Sequence, residues 1–301
     1  MRALLNGPEG LYLAAAPDPR PRADQALVTV AAVSLNFGEI AYRSATSGTR
    51  VSGWDAAGIV TQAAADGSGP PVGARVVTFG WGGAWAELRA VDTGNLAVVP
   101  DDVDLGIASA LPVAGVTALQ ALRRLGSVLG RRVLITGASG GVGRFAVQLA
   151  ALAGAHVIAS VSSAQRAAGL RELGAAEIVS GPAELTAPVY GVLDNVGGAQ
   201  LAEAFYRLEP DGVAQAIGRA AREVTVIDFE VAGTNSARGR LENFNVATPF
   251  GPDLALLLQL VRDGRLTAQI GWRGSWEQAE HAADMLLSRQ ITGKAVLDLG
   301  S

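Results

Sequence analysis

The sequence predicts a two-domain α/β protein in which a β-rich domain is interrupted by a doubly wound parallel sheet and then resumes. Three observations carry this. Residues 1–107 hold short β-branched runs cut by Gly, Pro and Asp clusters. From about residue 108, apolar runs alternate with helix-length stretches, and the final segment returns to one helix and one strand. At 301 residues there is room for two cores of ordinary size, and 49% hydrophobic against 17% charged content favours globular folding over disorder.

In the first segment (1–107), "QALVTVAAVSL", "AAGIVTQ" and "ARVVTF" read as strands, separated by turn formers such as "DGSGPPVG". In the second segment (108–263), "RVLITG", "HVIASV", "AEIVSG", "YGVLDNV" and "GVAQAIG" are apolar runs with the character of strands buried on both faces. In the return segment (264–301), Ser275 to Gln278 fits a capping box opening "WEQAEHAADMLLSRQ", and "KAVLDL" closes as a strand.

Composition excludes several function classes. A net charge of −4 and a pI near 5.3 offer no surface for nucleic acid or an anionic membrane. The opening "MRALLNGPEGLYL" is broken at Gly7-Pro8, and no apolar stretch approaches the ~20 residues that cross a bilayer. The chain has no cysteine, which removes disulfides and thiolate metal sites and fits a cytoplasmic location. Lys294 is its only lysine.

The chemistry-bearing stretch is "VLITGASGGVGRFAVQLA". After the strand, Ser139, Gly140, Gly141, Val142 and Gly143 lead into a helix whose apolar stripe is Val142, Phe145, Ala146, Leu149, Ala150 and Ala153. Glycines here let the backbone turn sharply and approach a pyrophosphate, whose charge faces the N–H groups of a helix N-terminus. Against G-x-G-x-x-G, Ala138 replaces the first glycine, and Gly140 and Gly143 keep the others. The next strand ends in "HVIASVSSAQR", with no carboxylate from His156 to Arg166 where an NAD site carries Asp or Glu. Ser162, Ser163 and Arg166 offer hydroxyls and charge to a 2′-phosphate, which favours NADPH over NADH. Either serine also suits a helix cap, and the two readings are compatible.

With "AAVSLNFGEIAYR", "SGWDAAGIV", "LPVAGVTALQAL", "GASGGVG", "LDNVGG" and "GKAVLDL" in this order, the chain resembles the zinc-independent quinone oxidoreductase branch of the medium-chain dehydrogenases/reductases. The resemblance implies a GroES-like domain joined to a Rossmann domain, NADPH as cofactor, and a homodimer, with the run "VTVIDFE", Val224 to Glu230, as the strand that extends the sheet across its interface. It implies hydride transfer to a quinone or a small conjugated enone. An enoyl reductase of a polyketide-like intermediate and an NADPH-binding sensor without turnover are the competing readings. Zinc-dependent relatives carry Cys and a His-Glu pair where this chain has Asn36-Phe37-Gly38-Glu39 and Trp54-Asp55, so no metal is expected.

The resemblance also implies roles. Asn36 matches the family's asparagine beside the nicotinamide ribose, although a turn-forming Asn fits equally. Glu39, where many relatives have Asp, anchors that loop. Tyr42 is the candidate hydroxyl, because the tyrosine of related enoyl reductases falls by spacing at Ser47. Thr117, Asn195 with Gly197 and Gly198, and Gly218 match cofactor-lining loops. Trp54, Trp81, Trp85 and Phe244 are candidates for an aromatic substrate wall. The segment "GTNSARGRLENFNVATPFGPDL" is the least family-like and is expected to set substrate choice.

Overall fold

The computed structural model describes residues 1–43, 50–235 and 238–300. The chain divides into two compact units, Met1–Val116 with Ala247–Ser301, and Thr117–Val246. In chain order the first unit begins with β1 (Arg2–Gly7), β2 (Gly10–Ala15), β3 (Gln25–Leu35), α1 (Phe37–Ala41), β4 (Asp55–Gln62), β5 (Arg75–Phe79), β6 (Leu88–Asp92), β7 (Leu96–Val98), α2 (Leu105–Ser109) and α3 (Pro112–Arg124), the last crossing into the second unit. That unit continues with β8 (Arg132–Ile135), α4 (Gly141–Leu152), β9 (His156–Ser160), β10 (Glu177–Val179), β11 (Val189–Asp194), α5 (Gly198–Tyr206), β12 (Leu208–Ala216), α6 (Phe229–Asn235) and β13 (Arg240–Asn243). The chain then returns to the first unit with α7 (Gly251–Arg262), β14 (Ile270–Ser275), α8 (Ala279–Leu287) and β15 (Lys294–Asp298).

In the first unit, the Val- and Ala-rich β3 pairs antiparallel with β4, β6 and β15, and the seven-stranded sheet runs β14-β15-β3-β4-β5-β7, with β6 as the seventh strand off this path beside β3. The closing strand thus lies beside β3, with Ala295 opposite Leu35. One core gathers Leu4, Val33, Leu35, Ile40, Trp85, Trp276 and Leu297. Trp85 fills it so closely that a Cβ on Gly53, which has φ +96, would fall 2.3 Å from the indole.

In the second unit, all strands are parallel, in the order β10-β9-β8-β11-β12-β13. The chain moves outward from β8 to β10, then crosses back to lay β11 on the other side of β8. That reversal opens a crevice at the carboxyl ends of β8 and β11, where ligands bind in such sheets. Leu134, Val192 and Ala214 on one face pack against Leu185, Ala204 and Phe205.

Several expectations change. The units divide after Val116 and Val246 instead of at 107 and 263. The reason for the later break is α7, which packs on the first unit: Leu257 presses on Gly115, and Gly251 on the carbonyls of Gly94 and Leu96. Val224–Glu230 is not a strand, since Val224 and Val226 are 84% and 75% exposed and Phe229 opens α6. The edge strand is β13. Helix α4 is buried from Gly143 to Ala150, Arg144, Val147 and Gln148 included, whereas of the expected stripe Val142 is half-buried and Ala153, just past the helix, is exposed. Ser275 does accept from the Glu277 amide, but it caps a short 3₁₀ turn ahead of α8.

Candidate functional site

In the second unit, the loop after β8 turns at Gly137 (φ +59), whose carbonyl accepts from the Gly140 amide at 3.0 Å. A Cβ on Gly143 would fall 2.4 Å from Gly137 O and 2.6 Å from Ala138 Cα, so glycine alone lets α4 sit this close to the loop. By helix geometry the amides of Gly141, Val142 and Gly143 have no intrahelical acceptor, and they sit at the positive end of the helix dipole. Ala138 tolerates its side chain in place of the first glycine because its methyl is fully buried while its amide donates to Ser160 O.

Ser139 and Arg166, read separately from the sequence, meet: Arg166 Nε donates to Ser139 Oγ at 2.8 Å. Ser162 is exposed and Ser163 half-buried, and the Ser163 hydroxyl makes no cap bond to the turn Ala164–Ala167. A residue not anticipated from sequence, Arg144, joins this corner. Its Nε donates to Ser139 O at 3.3 Å and its NH2 to Ala168 O at 2.8 Å.

Across the crevice, Asp194 is fully buried and organises the turn after β11. It accepts from the Thr136 hydroxyl and, at 2.7 Å, from the Gly197 amide, and burial pushes its carboxyl pKa upward. Asn195 is thereby held with Nδ2 donating to Thr136 O at 2.9 Å, while its Oδ1 is shielded from solvent and accepts no hydrogen bond. Gly218 lies against it: a Cβ there would fall 2.4 Å from Asn195 O. Thr117 is buried on α3. Phe244 is 5% exposed and its ring lies under the Arg124 guanidinium at 4.6 Å, so it packs the unit's interior and is not an open wall.

In the first unit, Asn36 is the hub of a buried polar network. Its Nδ2 donates to Glu39 Oε2 at 2.7 Å and to Asp55 Oδ2 at 2.8 Å, while its Oδ1 accepts from Lys294 Nζ at 2.6 Å. Lys294, 2% exposed, also donates to Leu35 O at 3.1 Å and lies 3.5 Å from Asp55 Oδ2. Asp55 further accepts from Ser34 Oγ and the Val113 amide, and Glu39 from the Trp54 amide. Both amide hydrogens of Asn36 are therefore committed inside the network. Burial, and then the neighbouring Asp55, push the Glu39 carboxyl up to about 8, and burial lowers the Lys294 ammonium.

The tryptophans separate. Trp85 is 1% exposed and belongs to the core, which removes it from the wall. Trp81, 59% exposed, meets Trp54 edge-on at 5.3 Å and Phe79 at 5.0 Å, and Phe79 stacks on Phe250 at 3.7 Å. A cavity of ≈ 230 Å³ is lined by Phe79, Gly80, Trp81, Gly82, Arg89 and Thr248 among others. Arg89 was not singled out from sequence. Its buried guanidinium, lowered to about 10 by desolvation, grips the carbonyls of Trp54, Gly80 and Gly82 at 2.9–3.2 Å and so holds both tryptophan-bearing segments. Tyr42 is 56% exposed at the end of α1, and Ser47 lies outside the described residues.

A β-rich unit joined to a parallel sheet with a glycine cradle at its switch point defines a two-unit protein of the dinucleotide-binding kind. Residues 22–101 match the family described as "Alcohol dehydrogenase GroES-like domain", and residues 141–244 match "Zinc-binding dehydrogenase". The chain belongs to the medium-chain dehydrogenase/reductase family, in its quinone oxidoreductase-like branch. It is 29% identical to a quinone oxidoreductase of Pseudomonas aeruginosa, over 98% of this chain and 97% of that protein. A mycobacterial protein solved in complex with NADPH superposes with a TM-score of 0.87 at 26% identity, covering 99% of this chain and 100% of that one. The chain is also 28% identical, over 93% of its length, to 14% of a phenolphthiocerol/phthiocerol polyketide synthase subunit of Mycobacterium tuberculosis. The zinc of the second family description finds no donor set here. The chain has no cysteine, Asn36 and Trp54 stand at the expected ligand positions, and among the described residues no three of His, Asp and Glu gather as metal ligands.

Proposed function

We propose that the protein is an NADPH-dependent oxidoreductase that delivers hydride to a quinone or a small conjugated enone without a metal. The observation that carries this reading is the Ser139–Arg166 pair beside a strand end free of carboxylates, a cationic and hydroxyl-lined seat that suits a 2′-phosphate. The site fits the group in two other respects. The cradle at Gly143 has no space for a side chain, and Asn195 Oδ1 is a buried acceptor that awaits a donor such as a ribose hydroxyl or a carboxamide. Gly140 to Gly143 hold the pyrophosphate, Ser162, Ser163 and Arg166 the 2′-phosphate, and Thr117, Asn195 and Gly218 the nicotinamide side.

Bound there, NADPH supplies a ready hydride, so the protein's work is positioning and water exclusion. Asn36 contributes by fixing α1 through Glu39, Asp55 and Lys294, and Trp81 with Trp54 offers flat apolar surface to a conjugated ring. A quinone spreads the developing negative charge over its ring, which makes a dedicated acid dispensable. An enone needs a donor at its carbonyl oxygen. Tyr42, exposed at the end of α1, is the hydroxyl offered for that task.

The test is oxidation of NADPH by the purified protein with a panel of quinones, conjugated enones and aldehydes, and NADH as control. Turnover of quinones or small enones with NADPH preferred supports the reading. Turnover of none of these, but of the double bond of an added acyl thioester, moves the protein to the enoyl reductases, the alternative that the polyketide synthase match leaves open. Tight NADPH binding with no acceptor turned over overturns catalysis and leaves a sensor. The proposal includes the cytoplasm, with which a cysteine-free chain is compatible. It also includes a homodimer, supported by the edge position of β13 among the described strands and by the exposed apolar side chains of Val224, Val226, Phe229 and Leu241.

A further inference from the structure

The corner where β9 ends contains two guanidiniums around one serine. Arg166 bonds the Ser139 hydroxyl, and Arg144, 6% exposed, bonds the carbonyl of the same residue. Arg144 also bonds Ala168 O, and its NH1 faces Gly169, whose φ of +76 brings the backbone close (a Cβ there would lie 3.5 Å away). Arg144 therefore ties the first turn of α4 to the segment 163–170, the segment that carries Ser163 and Arg166. Burial, and then the neighbouring Arg166 cation, make it harder for Arg144 to hold its charge. Two like charges brought together at the positive end of a helix repel one another, and a doubly negative group between them removes that cost.

From this arrangement we infer that Arg144 is a positioning and specificity-determining residue for a phosphomonoester at the ribose 2′ position of an adenine nucleotide. The inference rests on the NADPH reading above and adds a second residue to it, one that acts from inside the helix. Its fork, bonded to Ser139 O and Ala168 O at once, fixes where Arg166 stands relative to the glycine loop. Its charge adds to the field of Arg166. A lysine in its place keeps the charge but reaches one carbonyl at a time, and a methionine keeps only the packing of the stem.

The experiment measures binding of 2′,5′-ADP and of 5′-AMP to the full chain by calorimetry, for wild type, Arg144→Met, Arg144→Lys and Arg166→Ala. Wild type is expected to prefer 2′,5′-ADP by about tenfold or more, a ratio set by charge-assisted hydrogen bonds to the extra phosphate. Arg144→Met should abolish most of that ratio while 5′-AMP affinity stays within about twofold, because the glycine cradle is untouched. Arg144→Lys should keep an intermediate ratio, and it carries the test if the methionine variant does not fold. The inference is overturned if Arg144→Met keeps the wild-type ratio, or if both ligands weaken equally in both Arg144 variants, the mark of general loop damage. A wild type with no preference for 2′,5′-ADP refutes the NADPH reading itself, and this inference with it.

Discussion

Replacing Lys294 by methionine tests the buried network most directly. The substitution keeps a stem of similar length but removes the cation that donates to Asn36 Oδ1 and Leu35 O and lies beside Asp55. Two carboxyl groups then remain at 0% and 8% exposure without their cationic neighbour. Removing one partner of a buried ion pair costs about 3–5 kcal/mol, and that is the expected loss near pH 8.5. The pH dependence follows from Glu39, whose carboxyl is raised from 4.5 to about 8 in the folded protein. A group with a raised folded pKa contributes its full stability below the unfolded value of 4.5 and loses it as pH climbs through about 8. Without Lys294 the Glu39 pKa rises further, so the loss should be smaller near pH 5.5, where the carboxyl stays neutral, than near pH 8.5. All five tryptophans, Trp54, Trp81, Trp85, Trp272 and Trp276, lie in the first unit, so tryptophan fluorescence in urea reads that unit alone. A loss below about 1 kcal/mol, or one equal at both pH values, refutes the assignment of a buried charge balance to these residues.

Arg166→Ala should weaken NADPH binding by about tenfold to a hundredfold and leave NADH within about twofold, read by fluorescence titration of the reduced nicotinamide. Equal losses would refute a 2′-phosphate role. Gly143→Val drives a side chain into Gly137 O and Ala138, and it should cost the second unit about 3 kcal/mol and nucleotide binding together. Circular dichroism at 222 nm follows the unfolding, and unchanged stability would contradict the close seat of α4. Replacing Phe229 and Leu241, 78% and 39% exposed, by serine should shift a dimer toward monomer in sedimentation velocity. An unaltered sedimentation coefficient would exclude these two side chains from the dimer interface.

Contiguous features were legible in the sequence. The strand–glycine–helix pattern from Val133 to Ala150 needs only neighbours in the chain, and Ser139 and Arg166 each stand out in their own loop, although only folding joins them. The parallel strands were legible because burial on both faces leaves unbroken apolar runs. The network around Asn36 was not, because Asp55 reaches Ser34 and Asn36 only when β4 pairs with β3, and Lys294 only when β15 pairs with its other side. Lys294 left one trace, as the sole lysine opening an apolar strand. Arg89 and Arg144 look like ordinary surface positions until packing encloses them. The run Val224–Glu230 misled for another reason: the resemblance carried a strand to it, but among the described strands none covers it. Phe244 misled because Arg124, far away in sequence, lies over its ring.

The lone lysine has one more consequence. With its ammonium enclosed and engaged by Leu35, Asn36 and Asp55, the folded chain hides its only side-chain primary amine from solution. An acylating reagent modifies residue 294 only when the β15–β3 seam parts, so the adduct on the peptide that carries it, resolved from N-terminal acylation, is a clock for one opening event, free of the overlapping signals that many lysines would give.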